Sequence, residues 1–267
     1  MATDDLHIQS NHPTTVNARG KAVVITFAYL LSISFAELVT TLVDPLAGIM
    51  FHAVTLVLLL IHASLAEPQP EHKFLVSLSL VPLIRIISLA TPLEAFSQTY
   101  WYVLTSIPLL IGSLVVIRTL NYNQHHVFLT TKALPIQLLV GTTGIGLGAL
   151  EYYIFHPEPL VTSFSIERII LPALVLLVIT AFTEELIFRG IIQQSAIAAF
   201  GDRGIFLVAA AFAALHISNL SAPEVALMFV VGIFFSWVVK RTGSLLGVTL
   251  CHGIASISLY LIIPSFA

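Results

Sequence analysis

Charge is what this chain has least of. Asp, Glu, Lys and Arg make up 9% of its 267 residues, against about 25% in soluble domains. With 57% hydrophobic residues and a mean hydropathy of +0.98, that scarcity excludes an ordinary soluble domain and identifies an integral membrane protein. The net charge of −3 comes without a basic tract or a cationic patch interleaved with aromatics, which excludes a nucleic-acid partner. Cysteine is nearly absent as well, and the lone Cys251 forbids an intrachain disulfide. It stands beside His252, where a metal or nucleophile role competes with that of a small core residue. Long hydrophilic insertions and visible internal repeats are missing too, so one membrane domain is expected.

Apolar runs are what the chain has in abundance. Runs of about 17–25 residues, the length that crosses a bilayer, fall roughly at 22–43, 45–66, 73–91, 99–118, 134–155, 166–189, 204–219, 223–240 and 243–263. Proline, glycine and polar clusters separate them: Asp44-Pro45, Glu67-Pro68-Gln69-Pro70, Thr91-Pro92, Asn121 to His126, His156-Pro157-Glu158-Pro159, Gly201-Asp202-Arg203-Gly204 and Lys240-Arg241-Thr242-Gly243. The expected fold is an all-α polytopic membrane helix bundle of eight to nine transmembrane segments. An eight-span version needs one run to be re-entrant, either the second, with His52 and His62, or the short seventh. Residues 1–20, with His7, His12 and Pro13, read as a disordered cytoplasmic tail with no cleavable signal before the first span. Residues 21–165 form the N-terminal membrane helices, and 166–267 the core that carries the chemistry.

The basic residues orient the bundle. If Arg19 and Lys21 are cytoplasmic, strict alternation of nine crossings puts Lys73, Arg118, Lys132, Arg203, Lys240 and Arg241 on the same side. Only Arg168 lands opposite, with Glu151, Glu158 and Glu167. This is the positive-inside bias, and it places the N-terminus in the cytoplasm. Within the spans, Glu37 and Arg85 lie at similar distances from their cytoplasmic ends and are expected to pair as a structural bridge. Gly144 and Gly148 stand in GxxxG register, which lets helices approach closely. His125 and His126 lie in a loop and carry no strong metal signal.

The most informative stretch is Thr183-Glu184-Glu185-Leu186-Ile187-Phe188-Arg189-Gly190, which follows an apolar run from Ile169 to Ala181. Ionisable groups inside a membrane helix cost several kcal/mol each if unpaired, and by default they mark a functional site. Glu185 and Arg189 are i, i+4 and can pair along one face. Glu184, rotated by about 100° on a regular helix, is free for chemistry. A buried ion pair that merely fixes packing is the competing reading.

Two later runs each carry one histidine, in Phe212-Ala213-Ala214-Leu215-His216 and Cys251-His252-Gly253-Ile254-Ala255-Ser256. At about 1.5 Å per residue, Glu184 lies roughly 20 Å from the turn near Gly201, His216 about 18 Å from Gly204 and His252 about 14 Å from Gly243. All three distances are measured from the same side, so one carboxylate and two imidazoles can meet at a common level.

The ordered trio Glu-Glu-x-x-x-Arg, Phe-x-x-x-His and His-x-x-x-(Asn or small polar), with Arg241-Thr242-Gly243-Ser244-Leu245 before the last histidine, resembles the CAAX protease and bacteriocin-processing (CPBP, or Abi) family of intramembrane proteases. The resemblance covers roughly Ile169 to Ile263. It implies a helical fold around a water-filled cavity open to the cytoplasm, and a metal-independent peptide hydrolysis at a prokaryotic cell membrane. Glu184 and His216 would activate water, with His252 and the residue at 256 forming the oxyanion hole and Glu185, Arg189 and Phe212 in support. The last motif commonly ends in Asn; here it ends in Ser256, whose hydroxyl has a shorter reach. The implied partners are a peptide or lipidated protein substrate, prenylated ones included, and membrane lipids.

Burial and a neighbouring guanidinium act on a carboxylate in opposite directions, and a group held between them suits a general base that later serves as acid. No cofactor is then needed. The alternative is zinc held by Glu184, His216 and His252 with Glu185 as base, an acceptable ligand set, although the compact His-Glu-x-x-His helix is absent. A non-catalytic immunity or transport protein is the third possibility, since buried Glu and His also serve proton relays.

Overall fold

The computed structural model describes residues 13–66, 70–92, 95–161 and 164–266. His7 and His12 of the polar tail, and Glu67, Pro68 and Gln69 of the second break, lie outside the described residues. The described chain is helical, without strands. α1 (Pro13–Leu42) begins inside the stretch expected to be tail. α2 (Pro45–Leu65) starts where Asp44 caps it: the carboxylate accepts a bond from Ala47 N at 3.0 Å, and Pro45 occupies the first turn. α3 (Pro70–Leu78) and α4 (Leu80–Ala90) make one passage, followed by α5 (Gln98–Thr119) and α6 (Leu134–Phe155). α7 (Ile166–Leu174), α8 (Phe182–Glu185) and α9 (Gln193–Phe200) form a continuous rod, with π-helical turns at Val175–Ala181 and Leu186–Ile192 between them. Gly201, at φ 63°, ends the rod; only glycine takes that conformation without strain. α10 (Gly204–Ala214), α11 (Ala222–Thr242) and α12 (Leu246–Ile257) complete the fold, the last running on as a π turn to Ile262.

Eight stretches of the described chain are long and apolar enough to cross a membrane. One of them, Ile166–Asn219, folds back at Gly201, so the chain passes nine times between two ends. The seventh run accounts for the difference. α10 spans about 16 Å at 1.5 Å per residue, and it reaches the far end only with the help of the turn that follows.

Contacts between loops define the two ends. At one end, Lys73 Nζ donates to Leu120 O (3.3 Å), Phe74 meets Phe200 edge-on, Lys240 pairs with Asp202, and Thr130 Oγ1 donates to Gly243 O (2.7 Å). At the other, Thr41 Oγ1 donates to Ser218 O (2.8 Å), Trp101 Nε1 to Thr91 O (3.0 Å), and Leu160 N to Tyr260 O (3.0 Å). The first end gathers Lys73, Arg118, Lys132, Arg203, Lys240 and Arg241, as alternation of nine passages requires.

Close approach positions α12, the helix that bears His252. A side chain at Gly144 would collide with Cys251 O, and one at Gly148 with Ala255 O. The glycine pair thus forms a seam along which α6 and α12 touch backbone to backbone, the packing device of membrane helices. Cys251 is buried in this seam, where its thiol meets Thr143 Oγ1 at 3.3 Å. It is a core residue.

Candidate active site

The two adjacent glutamates occupy a single α-helical turn between two π-helical ones. π turns of this kind often occur at functional sites, and the two neighbours between them differ sharply in exposure. Glu185 is fully enclosed, whereas the Glu184 side chain keeps 37% of its surface exposed. Arg189 Nη1 donates to Glu185 Oε1 at 3.1 Å, the i, i+4 pair expected from spacing. The guanidinium is itself fully buried and lies in an aromatic box, with its central carbon 4.4 Å from the Phe212 ring centre, 5.2 Å from Phe235 and 5.8 Å from Phe188. Cation–π attraction of this sort is strongest where water is excluded.

His252 is held between the two carboxylates. Its Nδ1 lies 2.8 Å from Glu185 Oε1, and its Nε2 3.8 Å from Glu184 Oε2. Glu185 therefore has two partners, Arg189 and His252, where spacing on one helix had suggested only the first. His216 sits where α10 has ended, and its Nδ1 lies 3.1 Å from Glu224 Oε1. Asn219 Nδ2 donates to the same oxygen, and Ser221 Oγ caps α11 by accepting from Glu224 N at 3.3 Å. Phe212 bridges the two groups, with its ring on Arg189 and 5.4 Å from the His216 ring.

Glu184, His216, His252 and Ser256 all line one cavity of about 460 Å³, together with Glu151, Glu224, Asn219, Tyr102 and Tyr260. The four residues singled out from sequence are thus brought to one space, and Phe212 joins them at its wall. Glu185 and Arg189 lie behind the wall. Among the described residues, no three His, Cys, Asp or Glu side chains are gathered as a bound metal would need. Each histidine instead turns its Nδ1 to a carboxylate outside the suggested zinc set, Glu185 or Glu224.

Sequence reasoning missed several lining residues. Glu224 reads as a loop acid near an outer surface, but it is 6% exposed and bonded to His216. Its place after Ser221-Ala222-Pro223 is an ordinary helix-start pattern, which concealed the second role. Glu151 did carry a usable signal. It lies three residues after Gly148 and seven after Gly144, on the face that packs against α12.

The cavity's lining takes loop residues Pro157, Asn219 and Ser221 from the end opposite the basic loops, and none from the basic end. Depth measured from one end fixed the level of the residues, and helix packing set which loops join them.

A family model described as type II CAAX prenyl endopeptidase Rce1-like matches residues 166–258. No curated protein and no solved structure gives a match. The likeness to CAAX proteases read from the motifs is therefore shown for this stretch, which contains Glu184, Glu185, Arg189, Phe212, His216, His252 and Ser256. A match to an endopeptidase family implies a protease embedded in the membrane. Glu151 and Tyr102 lie outside the matched residues.

Proposed function

We propose that the protein is an intramembrane endopeptidase of the glutamate type, acting on a peptide or a membrane-associated protein, prenylated substrates included. The observation that carries the reading is the convergence of Glu184, His216, His252 and Ser256 on one cavity, with the Glu185–Arg189 pair buried behind it. Glu184 is the carboxylate that both reaches the cavity and keeps solvent access. It takes a proton from water as the oxygen attacks the substrate carbonyl carbon. His216, its Nδ1 turned to Glu224, presents Nε2 to the same water. The tetrahedral oxyanion forms beside His252, whose ring orientation Glu185 fixes through Nδ1, and a proton on Nε2 donates to that oxygen. Ser256 Oγ, one turn further along α12, is the second donor. When the C–N bond breaks, the proton held by Glu184 passes to the leaving amine.

The test is cleavage of a peptide library by purified protein in detergent, with new termini read by mass spectrometry. The parent should cut and Glu184→Gln should not, at equal folded yield. Stoichiometric zinc, with activity lost on chelation and restored only by zinc, would replace this reading with a metal-dependent one. A Glu184→Gln protein that keeps its cellular activity would point to a non-catalytic role.

A further inference from the structure

We infer that Glu151 forms a subsite for a cationic side chain, so that the cavity selects a substrate with a lysine or arginine near the scissile bond. The word substrate rests on the protease reading; the cation site does not. Glu151 belongs to α6, ahead of the residues that match the endopeptidase family. It is 8% exposed and lines the cavity. The other two acids of the lining are engaged. Glu184 lies 3.8 Å from His252 Nε2, and Glu224 meets both His216 and Asn219. Glu151 has no hydrogen-bond or ion-pair partner among the described residues. An ionisable group inside a membrane bundle marks a functional site by default, and a buried charge without a partner is costly.

The walls around this carboxylate suit a long basic side chain. No lysine or arginine of the described residues lines the cavity, so a countercharge has to arrive with a ligand. Leu147 and Phe155 stand one turn before and one turn after Glu151 on the same face of α6, and all three line the space. An apolar wall that carries one carboxylate matches an aliphatic stem with a charged tip.

The glycine seam fixes the level of the subsite. Gly144 lies against Cys251 and Ala255, and Gly148 against Ala255 and Ser258, so α6 and α12 run side by side in the same direction. Glu151 follows Gly148 by three residues. At 1.5 Å per residue it therefore stands about 5 Å beyond Ser256 and about 11 Å beyond His252. An extended chain advances about 3.3 Å per residue. A basic residue on Glu151 is then within about three residues of a bond held at His252 and Ser256.

Peptide binding tests the subsite apart from catalysis. The probes are synthetic decapeptide libraries with blocked termini, uncharged except at one central residue, which is Lys, Gln or Glu. They are applied to purified Glu184→Gln protein in detergent, which keeps Glu151 and should not cut. The Lys library should bind at least about tenfold more tightly than the Gln library, as for a charge-assisted hydrogen bond, and the Glu library more weakly than either. Adding Glu151→Gln should abolish the difference. Acetylation of the library lysine should abolish it as well, with no change in the protein and so no question of folding. Failure to distinguish Lys from Gln, or a Lys preference that survives Glu151→Gln, would overturn the inference. With the parent, cuts in the Lys library should fall within about three residues of the lysine; cuts placed without regard to it would also overturn the inference. A parent that selects the Lys library and never cuts would sink the protease reading and leave the cation site standing.

Discussion

Two clusters of charge are buried in this bundle, and they use the same residue types to different ends. In the N-terminal half, Glu37 Oε1 forms an ion pair with Arg85 Nε at 2.6 Å and lies 3.2 Å from His52 Nε2, and both Glu37 and His52 are fully enclosed. In the C-terminal half, Glu185 meets Arg189 and His252 in nearly the same manner. The second cluster differs by one added carboxylate, Glu184, that is left facing a cavity. An acid, a histidine and an arginine within a membrane are therefore no evidence of chemistry by themselves. Chemistry begins where one member of the set can reach water and substrate while the others hold it in place. The closed cluster also touches the segment that bears His216: Arg85 Nη2 donates to Ser218 Oγ at 3.3 Å, two residues beyond that histidine, and Thr41 Oγ1 from α1 donates to Ser218 O.

The sharpest way to break the comparison is to neutralise one carboxylate in each cluster. Glu184→Gln should lower peptide cleavage by at least the 10²–10⁴-fold typical of a lost general base, with the unfolding temperature in detergent unchanged because the group faces the cavity. Glu37→Gln should do the reverse, lowering the unfolding temperature while folded molecules still cut. A Glu37→Gln protein that folds as well as the parent and fails to cut would erase the distinction drawn here.

Substitution of the histidines comes next in size. His216→Ala should cost about 10²–10⁴-fold in kcat, and His252→Ala about 10²–10³-fold, as for loss of one oxyanion donor. His52→Ala should leave kcat per folded molecule nearly unchanged. Rates measured on all three, normalised to folded protein, place each histidine in its cluster.

Arg189→Ala addresses what the two clusters share. Removing one partner of a buried pair costs about 3–5 kcal/mol because the remaining charge is uncompensated. Folded yield and unfolding temperature should both fall, with activity following. An Arg189→Ala variant as stable as the parent would mean that the aromatic box and the Glu185 pair contribute little.

Much of this was legible in the residues because charge inside an apolar run is so conspicuous. The pairs Glu185–Arg189 and Glu37–Arg85, the glycine seam on α6 and the meeting of Glu184, His216 and His252 all follow from periodicity or depth. What escaped depends on the third dimension. Nothing in the spacing of the apolar residues announces the π turns on either side of the α-helical turn that carries Glu184 and Glu185. Glu224 reaches His216 only because the chain folds back between α10 and α11, and which loops join the cavity depends on how nine passages pack.

The smallest expected effect is at Ser256, and it decides how complete the oxyanion hole is. The hydroxyl lines the cavity one turn beyond His252, where relatives of the motif commonly carry Asn. A hydroxyl donates one bond and ends nearer the backbone than an amide does. If it contributes an ordinary net hydrogen bond of about 1 kcal/mol, Ser256→Ala should slow kcat by only about fivefold and leave KM unchanged. Ser256→Asn, which extends the donor toward the cavity centre, should match or exceed the parent. A loss of about 10²-fold in Ser256→Ala would instead mark the serine as a full donor, and a drop in Ser256→Asn would mean that the substrate passes too close to α12 for a longer side chain.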